Sequence, residues 1–328
     1  MSPVRPATAI AIALRNAALG LAVLAAAAGC ADREARTPGA RLSGLLVDPQ
    51  LSEISGLAAS RRHRGVLWLH DDGGNPERLF AVDTRGRRLA TFRIEGVPKT
   101  DWEDMAAFEL DGRAYLLIAD VGDNGGLRRT LQLHVIEEPS RLENARLRPA
   151  WSIAFRWPDG ARDCEAVAVD PVRGEVLLIS KKRQPPELFT VPLRPGGTQL
   201  ITAAPVGTLA GVPEPDEETR LRWPRRAKLA SQVTAADISP DRRTLAVMTY
   251  SHLLLYTRVD AQDWQQAAAG VPLVRALPAL PQPEALGWAA NGRSLFATGE
   301  FIPAPLYRIT PPPRDRRSSE SAGASEKD

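Results

Sequence analysis

The sequence predicts an all-β fold, a five-bladed β-propeller of four-stranded blades closed by an N-terminal strand. Three observations carry that prediction. A short apolar strand headed by an oxygen-bearing residue recurs five times, at Ser55, Glu103, Glu165, Thr234 and Glu284. Behind each copy lie further short β-rich runs separated by turn residues, with an uneven period of about 50–70 residues. The last unit is one strand short, and an orphan apolar run, Arg41–Val47, precedes the first.

The first unit reads Ser55–Ser60, Val66–His70, Arg78–Val82 and Leu89–Ile94, punctuated by Asp71-Asp72-Gly73-Gly74 and Thr84-Arg85-Gly86. Four strands per unit is the propeller pattern. The second has Met105–Glu109, Tyr115–Ala119, Gln132–Ile136 and Trp151–Phe155. The third has Ala166–Val169, Glu175–Ile179, Leu188–Val191 and an outer strand around Gln199–Ala203. The fourth has Ala235–Ser239, Thr244–Thr249, Leu253–Thr257 and Leu273–Leu277. The fifth has only Ala285–Ala289, Ser294–Thr298 and Leu306–Ile309. An open ring leaves unpaired strand edges, so the N-terminal run is expected to complete the fifth blade. A six-bladed alternative needs a blade in 205–230, which is rich in Pro and charge and reads as an inserted loop.

Composition narrows function mainly by exclusion. The formal charge is +3, from 42 basic and 39 acidic residues, and no basic stripe is interleaved with aromatics. A nucleic-acid partner is not expected, and a monomer is. Residues 1–29 read as an export signal, with Arg5 and Arg15 ahead of an apolar run from Ala17 to Ala28 that is short and alanine-rich for a membrane span. Ala27-Ala28-Gly29-Cys30 resembles a bacterial lipobox. That resemblance implies cleavage before Cys30, lipidation of its thiol and a membrane anchor in the cell envelope; a plain cleaved signal is the alternative. Ala31 is not the aspartate associated with inner-membrane retention, so in a Gram-negative cell the resemblance implies the outer membrane. The expected organisation is signal 1–29, lipidated tether 30–41, propeller 42–310 and a polar tail, 311–328, expected to be disordered. Cys164, ahead of an inner strand, is expected to be a buried structural thiol.

Aligned by their apolar residues, the five inner strands bring Ser55, Glu103, Glu165, Thr234 and Glu284 to one register at the tunnel axis. Converging carboxylates repel one another. A hard cation with flexible oxygen coordination, Ca²⁺ rather than Mg²⁺, relieves that conflict; water in a polar tunnel is the alternative. Turns after the second strands add Asp71, Asp72, Asp120, Asp123, Lys181, Lys182, Arg183 and Glu300 as candidate ligand-binding residues. Each also has the plainer reading of a turn former or solvated charge. His70 reads as a strand-end turn residue.

Trp102-Glu103-Asp104, Asp120-Val121-Gly122-Asp123-Asn124 and Thr234-Ala235-Ala236-Asp237-Ile238-Ser239-Pro240-Asp241 resemble bacterial propeller lipoproteins of unknown activity, over nearly all of 45–309. More distantly, the chain is similar to the calcium-activated nucleotidases (apyrases). Their tunnel ligands run Ser, Glu, Glu, Ser, Glu, which Ser55, Glu103, Glu165 and Glu284 match and Thr234 varies. Leu69-His70-Asp71-Asp72 and Ile179-Ser180-Lys181-Lys182-Arg183 resemble that family's acidic and basic turns. The expectation is an envelope propeller with a central calcium and a face that binds a ligand or partner, non-catalytic or of unknown activity. The alternatives are a calcium-dependent phosphoester or nucleotide hydrolase and, more weakly, an esterase-like or phytase-like hydrolase.

Overall fold

A computed structural model describes residues 37–313 other than 198 and 260. The export signal, Cys30, most of the tether and the tail from 314 onward lie outside the described residues.

Five sheets form the five blades, each with four antiparallel strands beginning at the axis; a short strand, β9 (Ala145–Leu147), adds to blade 1 parallel to its outermost strand. Blade 1 is β2 (Ile54–Ala59), β3 (Val66–Asp71), β4 (Arg78–Asp83) and β5 (Arg88–Ile94). Blade 2 is β6 (Trp102–Leu110), β7 (Arg113–Asp120), β8 (Leu131–Glu137) and β10 (Trp151–Arg156). Blade 3 is β11 (Cys164–Asp170), β12 (Glu175–Ser180), β13 (Glu187–Pro192) and β15 (Ala204–Thr208). Blade 4 is β16 (Val233–Ile238), β17 (Thr244–Thr249), β18 (His252–Thr257) and β19 (Leu273–Ala276). Blade 5 is β20 (Pro283–Trp288), β21 (Leu295–Gly299), β22 (Ala304–Ile309) and, as its outer strand, β1 (Ala40–Leu46). The expected closure is present: β1 pairs antiparallel with β22 from Ala40↔Ile309 to Leu46↔Ala304. The fold is therefore five-bladed.

Inner strands are small and apolar because they are buried on both faces. The apolar side chains of neighbouring blades form five separate clusters, one at each blade–blade junction. Trp68 and Trp102 fill the junction of blades 1 and 2, and Phe155 and Phe189 that of blades 2 and 3. Polar groups inside the tunnel tie the same junctions. The fully buried Asp104 carboxylate accepts Met105 N at 2.8 Å, Val167 N at 2.9 Å and Ala236 N at 3.1 Å, joining the inner strands of blades 2, 3 and 4. Asp237 Oδ2 accepts Trp288 N at 2.7 Å, joining blades 4 and 5.

Three expectations are corrected. The outer strand of blade 3 is Ala204–Thr208, not Gln199–Ala203; Ile201–Thr202 (β14) instead adds to blade 2, parallel to β10. Pro205 disguises the true strand, but it lies on an outer edge, where its missing N–H costs no ladder bond. The region 205–230 is not wholly loop. After β15 it forms α1 (Glu217–Arg222), capped by the Asp216 side chain on Thr219 N, and α2 (Pro224–Ala230), with Pro at its start. His70 is no turn residue: it is fully buried, with its ring edge-on to Trp102 at 5.5 Å. Cys164 is fully buried as expected, and burial pushes its thiol up.

Candidate metal centre

Every inner strand carries a β-bulge at the same place. The register slips between Ile54 and Gly56, Trp102 and Asp104, Cys164 and Ala166, Val233 and Ala235, and Pro283 and Ala285. The extra residue in each case is one of the five heading residues: Ser55, Glu103, Glu165, Thr234 and Glu284. A bulge leaves one residue out of the ladder and re-aims its side chain. All five are buried.

A second fivefold repeat positions the groups around them. A residue just past each second strand (the next one in four blades, the second one in blade 2) donates its N–H to the carbonyl two residues before the bulge residue. The pairs are Asp72 to Glu53, Gly122 to Asp101, Lys181 to Asp163, Tyr250 to Gln232 and Glu300 to Gln282, at 2.7–3.3 Å. The hydrogen bonds place Asp72, Gly122, Lys181, Tyr250 and Glu300 as an equivalent set beside the bulge residues. Gly122 is the gap in that set. A Cβ there would collide with the carboxylates of Glu103 and Asp101, so the missing side chain is what admits them.

The result is asymmetric. Towards blades 1–3 the carboxylates gather: ligand oxygens of Asp72, Asp101 and Glu103 lie within 4.8 Å of one another, as do those of Glu103, Asp163 and Glu165. Glu103 belongs to both sets. Towards blades 3–5 the charge is met internally. Lys181 Nζ contacts Glu165 Oε2 and stands 5.3 Å from the Tyr250 ring centre, and Tyr250 Oη donates to Glu284 Oε1 at 2.5 Å. Ser55 Oγ donates to the Glu103 carbonyl, while Thr234 Oγ1 is buried without a protein partner.

Proton affinity follows this crowding. Burial, then the charges of Glu165, Asp72 and Asp101, push Glu103 well above the usual carboxylate range. Burial raises Glu165 to about 8 despite the opposing Lys181 ammonium. Burial and a hydrogen bond with Glu284 raise Glu300 to about 9. Burial lifts Asp72 to about 6. Burial and crowding thus favour the protonated form of these acids, and a further cation would favour the ionised one. Hard oxygens with half-exposed Asp72 and Asp101 at the open side fit a cation of the calcium type.

The remaining expected residues separate into supports and bystanders. Asp120 accepts Thr100 N and Asp101 N at 2.9 and 3.1 Å and pairs with Arg128 at 2.6 Å, fixing the loop that carries Asp101. Asp123 accepts Leu127 N and Arg128 N in its own turn. Asp71 sits near Lys99, whose Nζ donates to the Asp71 carbonyl at 2.7 Å, and burial lifts its carboxyl to about 6. Lys182 Nζ reaches Asp163 Oδ2 at 2.8 Å and Asn124 Oδ1 at 2.7 Å. Arg183 is exposed, 3.8 Å from Glu187. Asp101 and Asp163 are the members that the heading register does not select. Their signal is the repeated spacing Asp101-x-Glu103 and Asp163-x-Glu165.

No protein-family model matches the chain, and no curated protein matches it. Among solved structures it is similar to one titled as a nidogen/laminin complex, at 15% identity and TM-score 0.42 over 76% of this chain and 72% of that one. It is similar to the U3-55K structure at 12% and 0.38, over 79% and 68%. It is similar to a gluconolactonase from Xanthomonas campestris at 11% and 0.41, over 79% and 72%.

Proposed function

We propose that the chain is an exported, lipid-anchored propeller that holds one calcium ion at the acidic mouth of its tunnel and binds a ligand or partner there. The observation that carries the ion is Glu103, a bulged carboxylate shared by two buried or half-buried acid sets. The ion is held by Glu103 with Asp72 and Asp101, or with Asp163 and Glu165. In the second set Lys181 already contacts Glu165 and Lys182 reaches Asp163, which favours the first. The anchor is the Cys30 thiol. Metal analysis of the purified protein after calcium addition and desalting tests the ion; no retained calcium refutes it. Lipid labelling lost in Cys30→Ala tests the anchor.

A second reading, calcium-dependent phosphoester hydrolysis, is favoured by one feature. The Asp72–Asp101–Glu103 set is the more exposed of the two, beside the Gly122 gap, where a bound ion keeps coordination positions for water and substrate. Phosphate release that needs calcium and is lost in Glu103→Gln supports it. Calcium-dependent stability without any phosphoester cleavage leaves the binding reading.

A further inference from the structure

The tunnel has a second mouth, at the hairpins joining each inner strand to the next, and its chemistry is opposite. A cavity of about 430 Å³ opens there, lined by Arg61 and Arg242 amid apolar side chains such as Phe108, Val169, Ile238 and Pro240. Glu109 is the one acid in that lining. Arg61 Nε donates to the Ala107 carbonyl at 3.0 Å, but its Nη1 is buried without a protein acceptor. Its charge also acts on the buried Asp237. Among the described residues the Arg242 guanidinium has one acidic neighbour, Asp170 Oδ1 at 3.8 Å, an oxygen already accepting Val172 N and Arg173 N.

The backbone of Arg242 is the unusual part. Its turn, Ser239–Thr244, matches Ala289–Ser294 of blade 5 bond for bond: Ser239 N to Thr244 O and Arg242 N to Ser239 O, against Ala289 N to Ser294 O and Gly292 N to Ala289 O. Blade 5 uses Gly292 at φ +66°; blade 4 holds Arg242 at φ +55°. A side chain is costly in that region, where glycine is not. The Arg242 carbonyl is clamped by Arg258 Nε and Nη2 at 3.1 and 2.9 Å. A strained arginine held where glycine serves the same turn is a mark of side-chain use.

We propose that this mouth binds a small organic carboxylate, its charged end on the guanidiniums of Arg61 and Arg242 and its hydrocarbon body on the apolar wall. Two forked donors match a carboxylate. Around the cavity, Arg62, Arg64 and Arg308 line a neighbouring space with Arg61 and draw anions to this end.

Calorimetric titration of the purified protein with acetate, butanoate and benzoate, against inorganic sulfate, tests the proposal. Saturable binding that tightens with hydrocarbon size and exceeds sulfate is expected. Arg242→Gly is expected to weaken benzoate at least tenfold while raising the melting temperature by a few degrees, since the turn then matches blade 5. Arg242→Lys keeps the strain and charge but loses the fork, so benzoate weakens with melting unchanged. Absence of saturable binding, sulfate binding as tightly as benzoate, or full affinity in Arg242→Gly each overturns the proposal.

Discussion

The two ends of one tunnel are built from the same five strands and carry opposite charge. At one end the strands begin with a bulge, and acids occupy the freed positions. At the other they finish in regular hairpins, and Arg61 and Arg242 occupy the turns. The difference shows where a propeller has latitude. The apolar middle of each inner strand is fixed by packing against two neighbours. The ends answer only to turn geometry, so each can carry its own chemistry. Between them stand Asp104 and Asp237, whose hydrogen bonds tie blade to blade.

The largest effect is expected in that middle. Asp104→Ala leaves three inner-strand N–H groups without their acceptor and should cost about 3–5 kcal/mol, read by urea unfolding. A cost below about 1 kcal/mol would mean that the blades are not held together through it.

Next comes the ion. Calcium at a hundred times its dissociation constant should stabilise the protein by about 2.7 kcal/mol. The melting temperature then rises by roughly 5–10 °C for a domain of this size, and Glu103→Gln should abolish the rise. An equal rise in Glu103→Gln would move the ion elsewhere.

The acidic end also sets a pH dependence. Folded-state values raised to about 8 for Glu165 and about 9 for Glu300 mean that the folded form keeps protons the unfolded form has released. In metal-free protein their contribution is complete below about pH 4.5, the ordinary glutamate value, and is lost as pH climbs through 8–9. Below about pH 6.5 the buried His70 and His134, lowered to about 4, give the opposite slope, so the decline is read between pH 7 and 9, where saturating calcium should flatten it. A metal-free curve that rises from pH 7 to 9 would contradict the crowding described.

The smallest effect concerns Lys181, the cation already at the acidic mouth. Lys181→Gln removes a like charge from beside the proposed ion and should tighten calcium by roughly tenfold. Weaker calcium binding in that variant would show that the ammonium orders the carboxylates rather than competing for them.

The strand plan was legible because a buried inner strand must be small and apolar, and five copies of that demand recur at one register. The third blade's edge was not, since Pro205 reads as a break and only its place on an outer edge makes it harmless. The heading residues were legible as oxygen-bearing, but their bulge was not: nothing in Trp102-Glu103-Asp104 announces a ladder slip. Asp101 and Asp163 enter through a two-residue spacing that becomes meaningful once the fold places both beside Glu103. Lys181 read as a rim charge, yet its side chain is nearly buried against Glu165, a placement that long-range folding alone decides. Arg242 carries no signal in the sequence; it becomes informative when its turn is laid over that of Gly292.

Closure by β1 has a further consequence for how the molecule comes together. Ala40 pairs with Ile309, so the ring cannot shut until nearly the whole sequence is on hand. Strand pairing across such a span is slow to form, and it is the step that covers the edge of β22. The seam therefore acts as a clasp. Until it fastens, the chain stays an open row of blades; once fastened, deletion into residues 40–46 from one side or 304–309 from the other exposes the same edge. The direction of β1 also fixes where the backbone enters. Ala40 lies at the arginine end and Leu46 at the acidic end, so the polypeptide joins the propeller on the side away from the proposed ion.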